Sequence, residues 1–124
     1  MSHVIVLAVV VVTVTVLALL LTGKAPKRAI AEHLAQHARI VDVRNHDEFD
    51  ESHYPGAVNI PLHMLSARLG ELGDKRAPVI LYCQSGMRSG SARVILLKAG
   101  FMHVHNAGNQ RYLARAAALL TEEE

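Results

Sequence analysis

The stretch spanning residues 4–21 constrains this chain more than any other, because it is apolar apart from Thr13 and Thr15 and no charged side chain precedes Lys24. As an α-helix it would rise about 27 Å, close to the ~30 Å hydrocarbon core of a bilayer. It carries no charged stripe to mark a solvent face, so it does not read as a helix of a globular core. Residues 1–23 are therefore expected to form a transmembrane anchor, with a secretory signal-like segment as the alternative. The signal reading lacks a basic n-region in Met1-Ser2-His3 and an A-x-A cleavage site after the apolar run. Lys24, Lys27 and Arg28 follow the run directly, and the positive-inside bias places what comes after them in the cytoplasm. A cleaved signal would instead place it in the periplasm or outside the cell.

Roughly 100 residues remain, enough for one small α/β domain with a single core. The formal net charge of +2 belongs wholly to this part. It is too small for a nucleic-acid surface, and the juxtamembrane cations are better suited to anionic headgroups. A single cysteine, Cys83, excludes an intrachain disulfide.

Residues 24–38 read as a linker, broken by Pro26, and a short helix over 29–37 with Ile30 and Leu34 on its apolar face. From residue 39 to 124 strand-like and helix-like patterns alternate. Strands are expected over 39–43, 57–61, 78–82 and 101–105. Helical spacing recurs around Glu48-Phe49, through Leu62, Leu65, Leu69 and Leu72 as one amphipathic helix, over 89–100 with Ser89 as its cap, and over 112–120. An acidic tail closes the chain at 121–124. Short loops between alternating elements predict a parallel sheet covered by helices on both faces.

The chemistry concentrates in Cys83-Gln84-Ser85-Gly86-Met87-Arg88-Ser89, where a buried strand should hand over to a helix. A sulfur there meets converging backbone N–H groups and the positive end of the helix dipole, both of which favour thiolate. Gly86 permits the positive φ that turns successive amides inward, Arg88 adds charge, and Ser85 and Ser89 can donate hydrogen bonds. By itself the loop also suits a thiol reductase, a phosphatase or a buried structural cysteine.

Three stretches in order resemble the rhodanese (thiosulfate sulfurtransferase) family. They are Ile40-Val41-Asp42-Val43-Arg44 with Glu48-Phe49, then His53-Tyr54-Pro55-Gly56-Ala57-Val58-Asn59-Ile60-Pro61, then the cysteine loop, followed by Gly100-Phe101 and Asn106-Ala107-Gly108. The resemblance implies a three-layer parallel sheet of about four to five strands, four being expected because little sequence precedes the first helix. It also implies a sulfurtransferase in which Cys83 becomes a persulfide. The amides of Gln84, Ser85, Gly86, Met87, Arg88 and Ser89 would hold the anionic sulfur, and Arg88 would receive the sulfonate of the donor. Asp42 and Arg44 would brace the loop, with an ion pair between Arg44 and Glu48. Related phosphatases place five residues between cysteine and arginine, whereas this chain has four, which favours sulfur transfer. Tyr112 stands about where the family often has tryptophan.

The implied partners are a small anionic sulfur donor and a thiol or cyanide acceptor, with no cofactor. The eight histidines include the pairs His33/His37 and His103/His105, neither with an evident third ligand, so no metal site is expected. A membrane-tethered sulfur carrier, sensor or docking module with negligible turnover is the alternative function.

Overall fold

The computed structural model describes residues 2–122. Four strands, β1 (Arg39–Asp42), β2 (Val58–Asn59), β3 (Val79–Tyr82) and β4 (Val104–Asn106), form one parallel sheet in the order β2-β1-β3-β4. The register pairs Ile40 with Ile80, Asp42 with Tyr82, and Leu81 with Asn106. β3 is central, and its four residues are all buried, as a strand covered on both faces requires.

Alternation along β3 divides the core. Val79, Leu81 and the following Cys83 face one side with Leu65, Leu72, Ala92 and Leu96, whereas Ile80 and Tyr82 face the other with Ile30, Leu113 and Ala116. The first layer is built by α4 (Met87–Lys98) and two 3₁₀ turns, and the second by α2 (Lys27–Ala35) and α5 (Gln110–Glu122). A short α3 (His46–Glu51) follows β1. Glu122 and Thr121 of the acidic tail belong to α5; Glu123 and Glu124 lie outside the described residues.

The leucine segment departs from expectation. Instead of one amphipathic α-helix it forms 3₁₀ turns at Leu62–Ala67 and Leu69–Leu72, meeting at Arg68. Side chains three apart eclipse in a 3₁₀ turn, so Leu62/Leu65 and Leu69/Leu72 each reach the core within their own turn. The four-residue step between Leu65 and Leu69 spans the break at Arg68, and Gly70 weakens any continuous α-helix there.

α1 (His3–Thr22) is long and apolar enough to cross a membrane, and none of its side chains is buried, which makes it a candidate span. Its final turn rests on α4. Arg93 donates to the carbonyls of Leu20 and Leu21, Asn106 Nδ2 donates to the carbonyl of Thr22 at 2.8 Å, and Gly90 leaves room for the approach. A Cβ on Gly90 would lie 2.6 Å from the Thr22 oxygen. The linker is pinned as well: the Tyr112 hydroxyl donates to the Ala25 carbonyl at 2.6 Å, and the Lys24 ammonium sits 4.2 Å above the Tyr112 ring. The aromatic ring after the glycine turn thus ties the segment following α1 to the domain.

A histidine contact joins α2 to the edge strand β4. His33 Nδ1 donates to the Ala29 carbonyl at 2.8 Å, and its Nε2 faces His105 Nε2 at 3.2 Å. The sequence pairs His33/His37 and His103/His105 are thereby regrouped into a cross-element pair, with the His103 ring 6.3 Å from that of His33. Burial, reinforced by His33, Arg93 and His103, pushes His105 down to about 4. An unfolded histidine takes up its proton near 6.5, so between those values the unfolded state binds more protons than the folded one. Stability present above about pH 6.5 is expected to fall as pH drops towards about 4. Urea titrations across that range should show this slope in the wild type and a shallower one in His105→Asn.

Candidate active site

β3 delivers Cys83 to the floor of the loop, and the Cys83 N–H is fixed by the Gly108 carbonyl at 3.1 Å. Gly86 adopts φ 93°, a left-handed turn that glycine enters without strain. It is also the residue from which α4 starts, so the expected Ser89 cap is corrected: the helix begins at Met87, and Ser89 lies buried within its first turn. The positive φ causes this, because it reverses the chain soon enough for the amides of both Gly86 and Ser89 to reach Sγ, at 3.0 and 3.4 Å.

The Ser89 hydroxyl lies 3.3 Å from Sγ and 2.7 Å from Asn106 Oδ1. Asn106 is oriented by its amide, which donates to the carbonyls of Thr22 and Gly86, while its Oδ1 also accepts from Gly108 N–H. Ser89 has one proton to give. With Cys83 as a thiol, S–H points to Ser89 Oγ and the Ser89 hydroxyl serves Asn106; with Cys83 as a thiolate, that hydroxyl turns to the sulfur. Burial raises the Cys83 pKa, but hydrogen bonds from the Ser89 hydroxyl and from the amides of Ser89, Gly86 and Ser85 outweigh it, and the net shift is below the ordinary thiol value.

The charged residues pair differently from the expectation of an Arg44–Glu48 bridge. Arg44 folds back onto Asp42, donating through Nε at 3.0 Å and Nη2 at 2.7 Å, and its backbone N–H reaches the same carboxylate at 2.9 Å. Two residues along one chain reversal outcompete a partner on another element. Nη2 also donates to the Ser52 carbonyl at 2.6 Å. Asp42 is fully buried, Arg44 nearly so, and the Asp42 hydrogen bond raises the Arg44 pKa. Beside them, burial pushes the Tyr82 phenol up to about 12.

Glu48 turns instead to Arg88, in a two-pronged pair at 2.8 and 3.2 Å. It also accepts from Asn45 N–H at 3.0 Å as part of the α3 capping box. Arg88 in turn holds the Glu48 carboxyl below the usual carboxylate range. The pair clamps the first turn of α4 to α3, so the Arg88 guanidinium is committed to a carboxylate.

Cys83 opens onto a cavity of about 310 Å³ lined by Arg44, Cys83, Gln84, Asn109, Gln110 and Arg111. The pattern of the sequence singled out Arg44, Cys83 and Gln84, but not Asn109, Gln110 or Arg111. Their signal was the Asn106-Ala107-Gly108 turn, which predicts a return of chain to the cysteine loop without saying which residues follow it into the site. A wider cleft of about 750 Å³ between α2 and α5 shares no residue with the loop.

A parallel sheet whose central strand ends in a buried cysteine, with the sulfur facing inward-turned amides at a helix start, defines an α/β domain of the cysteine-loop type. The chain belongs to the rhodanese family: the model of the Rhodanese-like domain matches residues 26–114. It is 39% identical over 75 residues to Thiosulfate sulfurtransferase PspE of Escherichia coli (strain K12), covering 60% of this chain and 72% of that protein. To the Putative sulfur carrier protein YrkF of Bacillus subtilis (strain 168) it is 39% identical over 67 residues, 54% of this chain but 36% of that longer protein. Among solved structures it superposes on a rhodanese with anions from E. coli with a TM-score of 0.58 and 37% identity, covering 60% of this chain and 89% of that one.

Proposed function

We propose that this protein is a membrane-anchored thiosulfate sulfurtransferase working through a Cys83 persulfide. The observation that carries the reading is the sulfur itself: buried, held by the amides of Gly86 and Ser89 and by the Ser89 hydroxyl, and acidified relative to an ordinary thiol. Membership of the Rhodanese-like family and similarity to PspE support sulfurtransferase activity.

Thiolate Sγ attacks the outer sulfur of thiosulfate; the Sγ–S bond forms, the donor S–S bond breaks, and sulfite leaves with its electron pair. A thiol or cyanide then attacks the outer sulfur and releases the Cys83 thiolate. The Gly86 and Ser89 amides that reach Sγ, with the other amides of residues 84–89 around the outer sulfur, stabilise the anionic persulfide. Asp42 and Arg44 brace the wall of the site, and Glu48 with Arg88 fixes the start of α4. Residues 24–38 lead from α1 into the domain at 39–124, with α2 packed on its sheet. The basic cluster after α1 favours a cytoplasmic domain.

Steady-state turnover of thiosulfate and cyanide tests this. One sulfite per thiocyanate with ping-pong kinetics is expected; no sulfite release would overturn it. Similarity to the Putative sulfur carrier protein YrkF motivates a second reading, a persulfide carrier loaded and emptied by partners. Stoichiometric sulfite release that stops after one turnover, with either small acceptor, would select that reading.

A further inference from the structure

Two guanidinium-bearing residues, Arg44 and Arg111, line the cavity over Cys83. Arg44 is occupied by Asp42 and by the Ser52 carbonyl. Arg88, the arginine that the loop motif draws attention to, is held by both carboxylate oxygens of Glu48 and is not part of the cavity lining. Arg111 is different. It is exposed, stands second in α5, and among the described residues has no ion-pair partner. Its neighbours are already employed: Asn109 Oδ1 accepts from Tyr112 N–H at 2.9 Å, and Gln110 Nε2 donates to the Ser52 carbonyl at 3.3 Å. The cavity lining therefore combines a buried nucleophilic sulfur with an uncommitted cation. An elongated anion bearing sulfur at one end and oxygens at the other fits that polarity.

We propose that Arg111, not Arg88, is the residue that binds the sulfonate end of the donor, and that it selects thiosulfonate-type anions. This rests on the persulfide reading above. With the sulfonate oxygens at the Arg111 guanidinium, the outer sulfur is directed towards Sγ. As the Sγ–S bond forms and the donor S–S bond breaks, the electron pair passes to the departing sulfite, whose growing charge Arg111 neutralises. No proton moves in this step. Because Arg111 is exposed, its contribution is moderate and screened by salt.

The test uses the full-length chain in detergent micelles with Arg111→Gln and Arg111→Lys. Two readouts are combined: the KM for thiosulfate at low and high salt, and the alkylation of Cys83 by iodoacetate against iodoacetamide, reagents that differ in a carboxylate. Arg111→Gln is expected to raise KM about three- to tenfold at low salt, to lower the iodoacetate-to-iodoacetamide rate ratio by a similar factor, and to leave the iodoacetamide rate within about twofold. Arg111→Lys should recover most of both effects, and high salt should shrink them. An unchanged KM and rate ratio in Arg111→Gln, with the wild type turning over normally, would overturn the proposal. If the wild type takes no sulfur from thiosulfate, the persulfide reading fails, and the alkylation ratio still decides whether Arg111 forms an anion subsite.

Discussion

Cys83→Ser is expected to lower thiosulfate-dependent sulfite release on the order of 10³-fold or more while leaving the thermal midpoint nearly unchanged. The loss is chemical: a serine hydroxyl at neutral pH is neither ionised nor as nucleophilic as a thiolate, and it cannot form a persulfide. The preserved stability follows from the surroundings. The Gly86 and Ser89 amides and the Ser89 hydroxyl that now face Sγ would face an oxygen of similar accepting power. Sulfite assays beside a thermal melt separate the two effects. A melt lowered by many degrees together with the lost activity would mean that the cysteine serves packing, as its complete burial would otherwise suggest.

Asp42→Ala should act in the opposite sense, on stability first. The carboxylate receives the Arg44 backbone N–H and both Nε and Nη2, in a site where Asp42 is fully buried. Removing one partner strands the other charge in poor solvent, a loss of about 3–5 kcal/mol for a buried pair. Arg44 keeps some exposure and its bond to the Ser52 carbonyl, so the lower end, about 3 kcal/mol, is expected. For a domain of this size that corresponds to a fall in melting temperature of roughly 12–24 °C. Activity should fall as well, because Arg44 also lines the cavity at Cys83. A shift of only a few degrees would show that Arg44 finds solvent or another acceptor when Asp42 is gone.

What the sequence disclosed depended on how local the determining interaction was. β3 was legible because a fully buried parallel strand must be a short apolar run, and the loop after it because a cysteine, glycine and helix start carry their geometry in adjacent residues. The leucine segment misled because a 3,4,3 spacing satisfies one α-helix or two 3₁₀ turns equally well, and only Gly70, two residues on, marks the deciding break at Arg68. The ion pairs misled for a related reason. Glu48 and Arg44 are separated by one helical turn in sequence, but Arg88 arrives beside Glu48 only through the sheet, forty positions later. Ser89 to Asn106 and the cavity wall at Arg111 likewise depend on β4 lying next to β3. Nor did the sequence suggest that the last turn of α1 would touch the same asparagine that holds Ser89. The apolar helix thus meets the hydrogen-bond network of the cysteine, although the rest of its length takes no part in the proposed chemistry.

The proposed chemistry requires that Cys83 carry a sulfur atom taken from the donor. The measurement is the intact mass of the full-length protein after thiosulfate treatment and desalting, repeated after addition of cyanide. A gain of one sulfur atom, lost on cyanide addition and absent from Cys83→Ser, is the predicted result; an unchanged wild-type mass at saturating thiosulfate, with Cys83 still open to alkylation, would contradict it.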